Sequence, residues 1–326
     1  MGQGSDRDTA SARSRPSPLM GFPGERLPMK PTIAWIGLGT MGTTMAQRVL
    51  RGGFPLVVHN RTARRAEPFL AAGARLAATA REAAAAAEIT ITMVSSPEAL
   101  DEVLGGPDGV VAGLAQGSLL LDMGTSGFPA ALGAESLLAG KGVSFVDAPV
   151  LGSRGAAQEG KLVVMAGGAR KDIDRVRQVL DAFARAVYHV GPIGAGQKMK
   201  LAANFMLAHL LSGLAGALAL ARASGLSPSD LVDVLEAGLG SPYFRAKGGQ
   251  MIAGAFDADF TVDLVRKDLR LIRRALEEAE LPFPTIEPIA QMFEEASRRG
   301  WGGEDGAAVA KLWWGREAEA SGKRAQ

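Results

Sequence analysis

Between Thr32 and Gly191 the chain alternates short β-branched runs with helical stretches, and then the alternation stops. Seven runs read as strands: TIAWIG (32–37), PLVVHN (55–60), ITITMV (89–94), SLLLDM (118–123), VSFVDA (143–148), KLVVMAGG (161–168) and AVYHVG (186–191). Strands separated by helical pattern make βαβ units, and such units build a parallel sheet covered by helices. The Ala-rich stretch 77–88 reads as a surface helix. From Gly194 onward only helical stretches follow, at 195–222, 228–238, 242–254, 260–280, 284–299 and 304–314. Gly225, Gly238, Gly240 and Gly300 punctuate them, and Ser227 or Ser229 can cap the second. At about 150 residues per domain, a chain of 326 residues fits two domains.

The first strand ends in Gly37-Leu38-Gly39-Thr40-Met41-Gly42. The first glycine allows a tight turn. The second lets backbone approach a pyrophosphate. The third lets the following helix pack against the strand, with its N-terminal N–H groups facing the phosphates. In a chain with 42 glycines such a string is weak evidence by itself. Its context strengthens it: a β-branched strand before, an amphipathic helix after, and a second strand ending about 20 residues on. The fold class expected is α/β, a Rossmann-type doubly wound parallel sheet domain followed by an all-α helical domain. The boundaries are a disordered leader at 1–30, the dinucleotide domain at 31–193, the all-helical domain at 194–316 and a flexible tail at 317–326.

The end of the second strand bears on the cofactor. An NAD site usually offers the ribose 2′-hydroxyl a carboxylate. Here the residues are His59-Asn60-Arg61-Thr62, with Arg64 and Arg65 behind them and no acid before Glu67. A guanidinium suits a 2′-phosphate, which it engages bidentately. NADP(H) is therefore preferred over NAD(H), with a solvated basic loop as the bland reading.

Composition removes other classes. No cysteine is present, so disulfides, thiolate zinc, iron–sulfur clusters and a cysteine nucleophile are excluded. Three widely spaced histidines, His59, His189 and His209, make no metal cluster, and no metal is expected. The first 31 residues carry five basic and three acidic groups, and the remainder carries 31 of each sign. A neutral folded part offers nucleic acid no polyanion-binding face. The leader lacks the apolar core of a secretory signal, and Asp6, Asp8 and Glu25 argue against a transit peptide, so a cytoplasmic protein is expected.

One segment raises the question of a membrane. The 21 residues between Lys200 and Arg222 carry no formal charge. As a helix they span about 31 Å, enough for a bilayer. Asn204, His209, Ser212 and many Ala and Gly residues favour a buried helix instead. Lys200 and Asn204 stand four apart at its start and share a face. A desolvated lysine gives or takes a proton near neutral pH, and an amide can orient an oxygen. The spacing alone equally fits a lysine snorkelling from a buried helix, with Asn204 capping a neighbour. Lys198 falls on another face and is expected in solvent.

The chain resembles the β-hydroxyacid dehydrogenase family over about residues 31–315, through four segments in order. IAWIGLGTMG resembles the opening fingerprint, and DAPVLGSRGAAQEGKL (147–162) the substrate-binding segment. GAGQKMKLAANFM (194–206) resembles the catalytic segment, and RKDLRL (266–271) the KDL segment. The resemblance implies Lys200 as general acid, Asn204 as its partner and Lys267 as a cofactor contact. It also implies that Val94, Ser95 and Thr125 meet the cofactor, with Thr125 on the nicotinamide side. Gly152, Ser153, Arg154 and Gly155 are then the turn that holds a substrate carboxylate. Phe256, Phe260 and Trp301 either line the pocket or pack the core. The family further implies a homodimer or homotetramer acting on a small molecule.

Three positions depart from the family. Leu151 stands where serine is frequent, Gly124 precedes Thr125 in place of serine, and Gly216 occupies a site where many members carry glutamate. The Asn-Arg-Thr sequence, KMKLAANFM and SPYFRAKGGQMI (241–252) look closest to the glyoxylate/succinic semialdehyde reductase branch. That branch implies NADP(H)-dependent reduction of a small aldehyde-acid. Three alternatives stay open: an NAD-linked 3-hydroxyisobutyrate-type dehydrogenase, an imine reductase-like enzyme, and a non-catalytic NADP-binding protein. The last two groups usually lack the lysine that this chain keeps.

Overall fold

The structure, a computed structural model, describes residues 30–314. The leader up to Met29 and the tail from residue 315 lie outside the described residues. The strands are β1 (Ile33–Ile36), β2 (Leu56–His59), β3 (Arg75–Leu76), β4 (Ile89–Thr92), β5 (Leu119–Asp122), β6 (Ser144–Asp147), β7 (Val150–Leu151), β8 (Leu162–Gly167) and β9 (Ala184–Gly191). They form one sheet in the order β3-β2-β1-β4-β5-β6-β8-β7, with β9 on β8. The strands from β3 to β6 pair in parallel. This is the doubly wound order, whose reversal between β1 and β4 opens a crevice at the carboxyl ends of the strands.

Period-two alternation explains how β1 is covered on both faces. Ile33 and Trp35 join one core with Met45, Val58, Phe69 and Phe183. Ala34 and Ile36 join the other with Val57, Leu100, Leu120 and Phe145. Helices α1 (Thr40–Arg51), α2 (Glu67–Ala71), α3 (Ala80–Ala85), α4 (Pro97–Leu104), α5 (Val110–Gly113), α6 (Phe128–Leu138), α7 (Arg154–Gln158) and α8 (Arg170–Leu180) connect the strands.

The helical part follows as α9 (Ala195–Ala223), α10 (Pro228–Leu239), α11 (Pro242–Ala253), α12 (Val262–Glu278), α13 (Ile286–Ala296) and α14 (Lys311–Trp314). Its core is separate from the sheet's, and Leu201, Ala208, Leu211, Leu214, Ala215 and Leu218 carry α9 through it. By length and composition α9 could cross a membrane, and 44% of its most apolar stretch is buried inside the protein. Ser227 is the residue that caps α10, accepting from the Asp230 N–H.

The structure differs from the sequence expectation in four respects. β3 and β7 are two-residue strands too short for a periodic signal. β8 runs antiparallel to β6, which it meets at Asp147 and Gly167. The Ala-rich stretch forms only α3, capped by Thr79, and turns Ala80, Ala83 and Ala84 into the core. At the other end, 304–314 holds a 3₁₀ turn at Gly306–Ala310 before α14.

Candidate active site

The glycine turn is built by close approach. Gly37 leaves β1 at φ +100°, and a Cβ there would lie 2.3 Å from the Met93 carbonyl oxygen. A Cβ on Gly42 would lie 2.1 Å from the Gly37 oxygen. At Gly39, by contrast, a Cβ would meet nothing within 4 Å, so the space before α1 is open. The first N–H groups of α1, from Thr40, Met41 and Gly42, have no partners within a helix, and no acid stands in its first turn. This cradle fits the pyrophosphate of a dinucleotide.

Asn60 supports the turn from β2. Its Oδ1 accepts from the Leu38 N–H at 2.8 Å and its Nδ2 donates to the Thr62 oxygen at 2.9 Å. One end of the amide thus serves the glycine turn and the other the loop that carries Arg61, so Asn60 ties the two through backbone. Arg65 donates to the Leu38 oxygen at 3.1 Å. Arg61 and Arg64 are exposed at the same edge.

The next two strand ends sit against this turn. A Cβ on Gly124 would lie 2.8 Å from the Val94 oxygen, which gives the departure from serine a steric reason. Ser96, after Val94 and Ser95, caps α4 through the Ala99 N–H. Asp122 ends β5 fully buried and accepts from Thr92 Oγ1 (2.8 Å), Ser126 Oγ (2.9 Å) and the Gly124 N–H (3.3 Å). Burial raises its carboxyl to about 6 against these hydrogen bonds. Asp147 ends β6 and caps α9: it accepts from the Gly194 N–H at 2.6 Å and the Gln197 N–H at 2.8 Å. Burial, reinforced by Asp122, raises it to about 7.

Helix α9 can start here because Gly196 has no side chain. A Cβ would lie 2.4 Å from the Met165 oxygen and 2.7 Å from the Asp147 oxygen. One turn on, Lys200 is only 9% exposed. Burial brings its ammonium down to about 8; Asp268 opposes the shift and Lys267 adds to it. Asn204, a further turn on, donates through Nδ2 to Asp268 Oδ2. Only the amide nitrogen can face a carboxylate, so Asp268 fixes the orientation and leaves Asn204 Oδ1 buried without a partner. Asp268 also pairs with Lys267 Nζ at 2.7 Å. Lys267 Nζ donates to the Thr125 oxygen at 2.7 Å. Lys267 therefore reaches the β5 loop itself: Asp268 joins Asn204 and Lys267 and acts on the Lys200 charge, and Lys267 carries the link on to Thr125. Lys198 is exposed as expected, its ammonium 3.8 Å over the Phe128 ring.

Asp268 and Asp147 are among the parts the sequence reading missed, as are Asp122 and Gln197. Asp268 lay inside the quoted KDL segment, but its partner Asn204 is 64 residues away. Asp147 opened the substrate segment without any sign that it would cap α9.

The turn at 152–155, expected from the resemblance to hold substrate, lies at the start of α7. Gly152 holds φ +138°, and Ser153 Oγ accepts from the Ala156 N–H at 3.2 Å, so this hydroxyl caps α7. Gly155 is in the first turn of that helix. Arg154 Nε lies 3.4 Å from Asp259 Oδ1, which precedes α12. Phe256, Phe260 and Trp301 pack against the helical core, and Lys311 sits over the Phe256 and Trp301 rings at 5.3 and 4.7 Å. A Cβ on Gly216 would meet nothing within 4 Å.

Comparison with known proteins places this site among others. Residues 32–191 match the model of the NAD-binding domain of 6-phosphogluconate dehydrogenase. Residues 194–313 match the family model described as NAD-binding of NADP-dependent 3-hydroxyisobutyrate dehydrogenase. The chain is 32% identical to 2-(hydroxymethyl)glutarate dehydrogenase of Eubacterium barkeri over 86% of its length and 94% of that protein's. It is 27% identical to the chloroplastic glyoxylate/succinic semialdehyde reductase 2 of Arabidopsis thaliana over 85% and 78%. Among solved structures, a 3-hydroxyisobutyrate dehydrogenase from Salmonella typhimurium superposes with a TM-score of 0.78 at 30% identity, covering 86% of this chain and 99% of the other.

Proposed function

Because the chain belongs to the β-hydroxyacid dehydrogenase family of NAD(P)-dependent oxidoreductases, we propose that it uses NADPH to reduce a small aldehyde-acid, of the glyoxylate or succinic semialdehyde type, to the hydroxy acid, with Lys200 as general acid. The observation that carries this reading is the buried Lys200 beside the Asn204–Asp268–Lys267 group, at the carboxyl edge of a dinucleotide-binding sheet.

NADPH, its pyrophosphate held by the Gly37–Gly42 turn, would supply a hydride to the carbonyl carbon when bound. The carbonyl oxygen then needs a proton. Lys200, brought to about 8, is mostly protonated at neutral pH and acidic enough to release its proton there. Asn204 Oδ1 is a buried acceptor suited to the hydroxyl that forms. Backbone N–H groups of Gly152, Ser153, Arg154 and Gly155 make an anion nest for the carboxylate. Arg61 engages the 2′-phosphate. Met199, Met206 and Leu220, exposed along α9, suit a contact between copies in a homodimer or homotetramer. A cytoplasmic location goes with this reading.

The test is oxidation of NADPH and of NADH against glyoxylate, succinic semialdehyde, methylglyoxal, tartronate semialdehyde and a cyclic imine, with hydroxy acids in the reverse direction. Turnover of an aldehyde-acid with NADPH is expected. NADH-linked turnover of 3-hydroxyisobutyrate, or turnover of the imine alone, would replace the reading with the corresponding alternative. NADPH binding without any turnover would point to a non-catalytic protein.

A further inference from the structure

We propose that Gln197 is a positioning residue that locks the loop carrying Thr125 to the helix carrying Lys200, setting the cofactor side and the proton donor of the site as one piece. Gln197 is polar and yet 0% exposed. Its Oε1 accepts from the N–H groups of Gly127 at 3.0 Å and Ser126 at 3.1 Å. Its Nε2 donates to the Gly124 oxygen at 2.9 Å. One carboxamide thus satisfies three backbone groups on either side of Thr125. This pattern demands an acceptor and a donor on the same planar group, which the glutamine carboxamide offers at every pH and a glutamate of the same reach offers only when protonated.

The residue is itself fixed. Its backbone N–H donates to Asp147 at the end of β6. Lys200 follows three positions later on the same helix face. The loop is also held from β5, where Asp122 takes the Gly124 N–H and Ser126 Oγ, and from α12, where Lys267 takes the Thr125 oxygen. Gln197 adds the direct link to α9. Reacting groups are sensitive to such links, since a misplacement of about 1 Å can cost about 100-fold in rate. The inference rests on the reading that Thr125 and Lys200 flank the reacting atoms.

Two substitutions test it, each read first by amide hydrogen exchange on the full chain without ligand. Gln197→Met keeps the length and removes all three hydrogen bonds. The Ser126 and Gly127 amides should exchange about 10-fold faster or more, while α9 beyond Asn204 is unchanged. With the aldehyde-acid that the wild type reduces, kcat should fall about 10- to 100-fold, with KM and NADPH affinity within about 2-fold. Gln197→Glu separates positioning from simple packing, and serves also if Gln197→Met does not fold. Its protonated carboxyl both accepts and donates, whereas the ionised form cannot donate and repels the Gly124 oxygen. Its turnover relative to wild type should therefore be highest at acid pH and fall as pH rises. Asp122, Asp147 and Lys200 titrate nearby in both proteins, with the Lys267 and Asp268 side chains beside them in both, so the comparison is made on the ratio to wild type. Unchanged exchange, unchanged kcat in Gln197→Met, or a ratio independent of pH would overturn the proposal. A wild type that reduces no aldehyde-acid counts against the substrate reading alone, and the exchange rates then decide the lock.

Discussion

At the scale of the residue, the site turns on how burial and one carboxylate compete for the Lys200 proton. Burial lowers its pKa to about 8 and Asp268 pulls it back up. Reduction needs the ammonium, so its kcat/KM should be level below about pH 7 and fall as pH rises through about 8. The reverse oxidation needs the free amine and should rise over the same range. Asp268→Asn keeps an oxygen for the Asn204 amide and removes the charge. The alkaline limb of reduction should then move to lower pH, and a limb that stays in place would exclude Asp268 as the charge that holds the proton on Lys200. Cofactor choice is a separate residue-scale matter. Arg61 is exposed at the edge of the cradle, so Arg61→Asp should weaken NADPH binding at least 10-fold while leaving NADH nearly unaffected. Fluorescence titration with both nucleotides measures this, and an equal loss for the two would remove Arg61 from the 2′-phosphate.

At the scale of the element, close approach explains what the sequence could and could not reveal. The glycine string was legible because part of its steric logic is local: Gly37 holds φ +100° and Gly42 closes on the Gly37 oxygen within the turn, whereas the approach of Gly37 to the Met93 oxygen was not visible in the string. The reversal of β8 was not legible, because its run of apolar residues reads the same in either direction and only pairing with β6 and β7 orients it. Asp268 was hidden for a related reason, since a carboxylate gains meaning from an amide 64 residues away. Helix α9 shows both cases along one rod. A Cβ on Gly196 would lie 2.4 Å from the Met165 oxygen, whereas one on Gly213 would meet nothing within 4 Å. Gly196→Ala should therefore destabilise the protein by about 1–3 kcal/mol through overpacking. Gly213→Ala should stabilise it by up to about 1 kcal/mol through helix propensity. Denaturant melts compare the two, and equal signs would show that α9 does not start against β6 and β8 as described.

At the scale of the molecule, the sheet's cores and the helical core are distinct, and the start of α9 crosses between them under the Asp147 carboxylate. That carboxylate is held at about 7 and its neighbour Asp122 at about 6, in both cases chiefly by burial. A carboxyl whose pKa is raised on folding binds its proton more tightly in the folded state. Its contribution is complete below the unfolded value near 4 and is lost as pH rises through the folded value. Global stability should therefore decline between about pH 4 and 7, although cap and hydrogen bonds persist. Lys200 acts outside this window: its lowered pKa penalises the folded state until pH passes about 8, and relieves it above. Asp263, held low chiefly by its Ser297 and Arg266 hydrogen bonds, adds stability that is lost only as pH falls through the acid range. The melting temperature should thus be higher near pH 5.5 than near pH 7.5. Asp147→Asn removes the titration and keeps one acceptor for the helix cap, so its melting temperature should change less across the same interval. The comparison is between slopes, which makes it independent of any uniform loss the substitution brings. Parallel slopes would mean that the carboxyl at the domain junction does not titrate with folding, and that the cap of α9 holds no proton in this range.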